Sequence, residues 1–220
     1  MVTLKNVQEN QYILEFIKQT DIALNSIGYT DHGLRHARLV SKRSVELSRQ
    51  IGLSEREQAL AGIAGFCHDM GNFLSRTNHH YWAALLFSQI FNKEFSPEEL
   101  SVLIQAISNH DREEMRFTKA VSAVVVLADK SDVHRSRVKQ ADAANLRTDM
   151  HDRVNYAVEK SDLVVNLENK KIKLVIKIDT NFCPIMEFFA LFTHRMMYCR
   201  QAAEFLGYEF SIEINNFELL

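Results

Sequence analysis

Proline and glycine are scarce in this chain, with two prolines and seven glycines in 220 residues. So few breakers exclude a collagen-like or Pro/Gly-rich chain and favour long helices with short joints. Cysteine is scarce too. Cys67, Cys183 and Cys199 are an odd number at wide spacing with no CxxC pair, so the expectation is a reduced, cytoplasmic protein rather than a disulfide framework. No apolar stretch approaches ~18 residues without charge, and the opening Met-Val-Thr-Leu-Lys-Asn has no secretory pattern, so no membrane partner is expected. A net charge of −2 gives no global attraction for a large nucleic acid, and any phosphate binding must be local. A Gly-rich phosphate loop, a Ser-His-Asp arrangement and basic–aromatic interleaving are all missing. With 46% hydrophobic and 25% charged residues, what remains is a globular chain able to bury a sizeable core.

Apolar spacing predicts a helix from about Val7 to Ile27 with Gly28 as its stop, and a second from an Asp31 N-cap to Ile51. Ser54-Glu-Arg-Glu57 is a capping box that opens a third helix, which carries His68 and Asp69 at its C-terminal end. Residues 71–78 read as a loop, followed by a helix from His79 to Phe91. Ser96-Pro97-Glu98-Glu99 starts another that ends at His110. The segment Ala120 to Val133 has three consecutive valines, but its length and lack of alternation favour a buried helix over a strand. The last third changes character. Residues 162–168 and 171–179 are β-like, Pro184 opens a helix with an apolar stripe to Leu206, and 208–214 alternates again. This reads as a ββαβ appendage, a small antiparallel sheet with one helix laid on it. It would serve as a lid, a dimer surface or a ligand-sensing module.

Five fragments carry chemistry: His32-Gly-Leu-Arg-His36, Cys67-His68-Asp69-Met70-Gly71, Asn78-His79-His80, Ser108-Asn109-His110-Asp111 and Leu127-Ala128-Asp129. His68 beside Asp69 puts a neutral nitrogen and an anionic oxygen at one spot, which suits a borderline divalent metal. Adjacent helical positions point about 100° apart, so the pair reaches one metal from two sides or two neighbouring metals. A carboxylate can bind a metal through each oxygen, and an imidazole cannot. Asp129 interrupts an apolar run and needs a partner, either a metal or a buried salt bridge. His32 and His36 lie one turn apart, but no Glu follows His32, so they do not form an HExxH motif.

Taken in order, these fragments resemble the HD-domain superfamily of metal-dependent phosphohydrolases over roughly residues 30 to 135. Leu34-Arg35-His36-Ala37 and Cys67-His68-Asp69-Met70-Gly71 are the most specific parts. The resemblance implies a mainly α protein, with an HD-type helical bundle in residues 1–160 and the ββαβ appendage in 161–220 on the same core. It implies that His36, His68, Asp69 and Asp129 hold one metal, with His79 and His110 added as in binuclear members and Asp69 bridging as the catalytic carboxylate. It selects His36 over His32. It prefers His79 to His80, because in binuclear relatives the histidine lies four and five residues before a small pair, here Ala83 and Ala84. Many relatives carry a second histidine where this chain has Asp111, a departure that bears on the second metal.

The resemblance further implies hydrolysis of a phosphate mono- or diester, often of a nucleotide, by a metal-activated hydroxide. Arg76, Arg112 and Lys130 are the nearby cations for the phosphate, and each could equally be a solvated surface charge. A histidine-rich shell argues against Mg²⁺ alone; one or two ions of iron, manganese or zinc fit mixed N/O ligands. A minority of members activate oxygen at a di-iron centre instead, and a non-catalytic metal- or nucleotide-binding module is a third reading. Asp132 reads as solvated or as a support to the ligands, and His134, His151 and His194 as structural or surface residues. The expected partner is a small phosphorylated substrate, and the long apolar helix suits a homodimer.

Overall fold

The computed structural model describes residues 2–139, 146 and 148–219. The chain divides into two compact units, Met1–Asp129 and Lys130–Leu220, earlier than the 160/161 boundary read from the sequence. The first unit is helical: α1 (Leu4–Gln8), α2 (Gln11–Ser26), α3 (Leu34–Gln50), α4 (Glu55–Cys67), α5 (His79–Phe91), α6 (Pro97–Asn109) and α7 (Ala120–Lys130), whose last residue opens the second unit. The expected helix over Val7–Ile27 is split in two. Asn10 interrupts it because its side chain accepts from the backbone N–H of Tyr12 and Ile13 and so caps a new helix. The start near Asp31 lies a few residues later: Gly33 is the N-cap, and Asp31 instead accepts from Gly33 N–H and pairs with Arg35. The Ser54 and Ser96 caps are where the sequence puts them.

α4 is the centre of this unit, packed against α1, α3 and α6. Leu60 to Cys67 are buried without exception, so the helix is apolar on every face rather than striped. Fully burying a side chain such as Ile63 or Phe66 contributes about 1.5–3 kcal/mol. Small residues let α3 come close. Ser41 Oγ donates to the Gly62 carbonyl at 2.8 Å, and a Cβ on Gly65 would lie 2.8 Å from Ser44 Oγ and 3.2 Å from the Val40 carbonyl. That approach brings the first turn of α3 to the C-terminal end of α4.

The second unit begins with a 3-10 turn (Arg135–Arg137) and α8 (Met150–Ala157), a helix left unassigned in the sequence reading although Asp149 caps it. Then follow β1 (Val158–Asn166), β2 (Lys171–Ile178), α9 (Ile185–Phe205), β3 (Glu209–Ile214) and β4 (Phe217–Leu219), with the strands side by side in that order. β1 pairs antiparallel with β2, and β4 with β3, but β2 and β3 are parallel. The small sheet is therefore mixed, a correction to the antiparallel arrangement expected. A chain that leaves β2 and crosses through a helix re-enters the sheet in the same direction. β4 is an addition, turned by Asn215 and Asn216, both at positive φ, as a two-residue type I′ hairpin requires. Ile172, Leu174, Ile176 and Ile178 alternate inward as read, and Phe188, Phe192, Met196 and Cys199 of the α9 stripe are buried. Among the described residues, no helix is long and apolar enough to cross a membrane.

Candidate metal centre

Five helix ends deliver six donors to one place in the first unit. His36 lies in the first turn of α3, His68 caps the end of α4 with Asp69 next to it, and His79 opens α5. His110 caps the end of α6, and Asp129 sits in the last turn of α7. The four histidines are 0–2% exposed and the two aspartates 7% and 8%, so the ligand atoms are closed off from bulk water. His36 Nε2 and His68 Nε2 are 3.1 Å apart, and so are His79 Nε2 and His110 Nε2. Asp69 stands between the two pairs. Its Oδ2 is 3.5 Å from His36 Nε2 and 3.3 Å from His68 Nε2, and its Oδ1 is 3.1 Å from His79 Nε2 and 3.4 Å from His110 Nε2. Asp129 Oδ1 joins the first pair, at 3.3 Å from His36 and 3.6 Å from His68. The described groups of three donors close enough to share an ion draw on these six residues and no others.

Three of the rings have a fixed tautomer. A backbone carbonyl can only accept, so Nδ1–H must be the donor from His68 to Gly65 (2.8 Å), from His110 to Ile107 (2.7 Å) and from His79 to Arg76 (3.0 Å). In the neutral rings Nε2 then presents a lone pair to the centre. For His79 and His110 this sets two lone pairs face to face, an arrangement that a cation makes favourable. The titrations differ from ring to ring. Burial alone would push His68 down, but the Asp69 and Asp129 carboxylates outweigh it and raise its pKa to about 10. Burial opposes the charge on Asp69 as well, yet the charge on His68 and its hydrogen bond hold Asp69 ionised, well below the usual carboxylate range. Burial lowers His110 to about 4, in spite of Asp69. Once His68 gives up its proton, the cluster offers carboxylate oxygen and imidazole nitrogen in a buried pocket, a donor set compatible with a divalent metal.

Asn72 is the residue that sequence reasoning missed. It is 3% exposed, donates from Nδ2 to Asp69 Oδ1 at 2.9 Å, and accepts from Arg76 Nη1 at 2.9 Å. Gly71 matters for another reason: a Cβ there would lie 2.3 Å from the His79 carbonyl and 2.5 Å from Ala83 N. Arg76 also faces Asp111, at 3.7 Å, and lies over the Tyr29 ring. Asp111 Oδ2 is 3.8 Å from His79 Nε2, so the departure from the family pattern places a carboxylate beside the second histidine pair.

Arg76 and Arg112 both line a cleft of about 470 Å³ with His79, His80 and Asp111, whereas Lys130 is buried at the end of α7 and is not among the lining residues. His32 lies outside the cluster, its ring 5.7 Å from that of His36 and its Nδ1 bonded to the Thr30 carbonyl. Asp132 is not solvated: it is 1% exposed, and Arg137 reaches both its carbonyl (2.8 Å) and its carboxylate (3.6 Å). His134 is structural, accepting from Ser136 N–H at the 3-10 turn.

A buried His/Asp cluster at the ends of packed helices defines a class of helical proteins suited to metal binding. The HD domain model matches residues 33–157, and the chain belongs to that family, commonly one of metal-dependent phosphohydrolases. It is also 25% identical over 152 residues to the uncharacterized protein MJ1020 of Methanocaldococcus jannaschii. That match covers 59% of this chain and 58% of the relative.

Proposed function

We propose that this protein hydrolyses a phosphate mono- or diester of a small substrate, with a nucleotide as the leading class. His36, His68, Asp69 and Asp129 would hold one divalent metal, and Asp69, His79 and His110 a second. The observation that carries this reading is the posture of Asp69, whose two oxygens are turned to different histidine pairs. Iron, manganese or zinc suits such mixed ligands better than magnesium. When bound, such an ion lowers the pKa of a water and offsets charge on the phosphoryl group.

The chain's own groups do the rest. Asp69 would bring negative charge to both metal positions, and Asn72 holds that carboxylate in place from outside the cluster. The Nδ1–H bonds keep three rings aimed while substrate comes and goes. Arg76, oriented by Asn72 and Asp111, and Arg112 offer guanidinium donors to phosphate oxygens along the cleft. Burial keeps bulk water from the donors and so strengthens each charge interaction.

The test is elemental analysis of protein purified without chelator or tag-bound metal, followed by a screen of nucleotides and phosphodiesters for released phosphate or alcohol. Two transition-metal equivalents per chain and turnover that is lost in Asp69→Ala support the reading. Protein that stays metal-free after reconstitution with iron, manganese or zinc refutes it.

A further inference from the structure

The wall of the cleft holds a group that metal binding does not use. His80 is 7% exposed, and its ring centroid is 5.4 Å from that of His79 and 6.2 Å from that of His110. Its surroundings differ from theirs. His68, His79 and His110 each tie Nδ1–H to a backbone carbonyl. His80 Nδ1 is shut away from solvent with no hydrogen-bond partner, and its Nε2 has none among the described residues. Arg112, half-buried in the same wall, makes no hydrogen bond or ion pair with a described residue. Arg76, by contrast, is already engaged by Asn72 and Asp111.

We infer that His80 and Arg112 receive a second phosphate group of the substrate, beyond the phosphoryl group at the metal centre. The inference rests on the phosphohydrolase reading for the position of the reacting group. A neutral imidazole can donate its Nε2–H, the nitrogen not shut away from solvent, to a phosphate oxygen, and a guanidinium adds charge and a planar fork of donors. Substrates with two phosphates close together satisfy both residues; a monoester with an uncharged remainder leaves them unmet. Glu113 and Glu114 are exposed on the same cleft and repel longer polyanions such as nucleic acid.

The experiment is titration calorimetry of the manganese-loaded full chain with methylphosphonate and with methylenediphosphonate. Wild type should bind the diphosphonate at least about tenfold more tightly. H80F and R112Q should each remove most of that preference with metal content unchanged, and H80Q, which keeps an N–H, should retain most of it. A wild type with no preference overturns the inference. So does a preference that survives in both H80F and R112Q, because it then comes from chelation at the metals alone. If H80F fails to fold, R112Q and H80Q still decide. A protein that shows the preference but turns over no phosphoester keeps the second-phosphate contact and loses the hydrolase reading, so the two failures are distinguishable.

Discussion

Asp69 has the widest reach of any residue in the cluster, since both histidine pairs depend on its two oxygens. Asp69→Asn keeps the shape but removes the charge and one acceptor, so metal content by elemental analysis should fall from two equivalents to one or none, with turnover lost. Full occupancy in that variant would contradict the shared-carboxylate geometry. Asn72 acts one step further out. Asn72→Ala should lower metal affinity or turnover about 10–100-fold, the usual cost of losing a residue that orients a ligand, and competition with a metal-indicator dye would measure it. The six residues could be singled out because their chemistry is carried by residue type and order, and the structure brings them together; of the doublet, His79 lies 3.1 Å from Asp69 and His80 lines the cleft. Asn72 was not legible: a neutral amide after a glycine looks like loop until the fold sets it against a carboxylate. The same holds for Asp132, whose partner Arg137 is the side chain of a different local element.

At the scale of elements, the strongest sequence signals were the ones with a local mechanism. The capping serines, the alternating strand and the two helix ends bearing histidine all needed only neighbouring residues to be read. Pairing direction did not: whether β3 lies parallel to β2 depends on a helical crossover, and β4 depends on reading Asn215-Asn216 as a hairpin rather than a tail. The joint between α4 and α5 yields a sharp prediction. Gly71→Ala forces backbone apart at His79 and Ala83, so it should cost about 1–3 kcal/mol in denaturant unfolding and weaken binding of the second metal proposed at His79 and His110. Gly28→Ala is the comparison. Gly28 has φ +80° with no atom near its would-be Cβ, so the change should cost about 1 kcal/mol in backbone strain and leave metal content as it was.

For the whole molecule, the proposed metal loading would be coupled to folding. A metal that binds the native chain alone stabilises it by about 2.7 kcal/mol at a hundred times its dissociation constant, so chelation should lower the melting temperature and metal return should restore it. Protons enter the same balance. His68 in the metal-free protein has its pKa raised to about 10 from 6.5, so at neutral pH a proton occupies the position a metal needs. Loading must release that proton. Apparent affinity should therefore strengthen as pH rises through neutrality towards about 10 and weaken in acid. Calorimetry in buffers of different ionisation enthalpy measures the release directly, and a binding enthalpy independent of buffer would contradict the assignment of His68.

The tethers on His68, His79 and His110 each reach only three residues back along the chain. Those rings lose their rotational freedom when the local backbone forms, so little side-chain entropy remains to be lost when an ion arrives. Their orientation is set by the backbone, so a metal bound as proposed would leave it in place on departing. Such a socket can be emptied and refilled without being rebuilt.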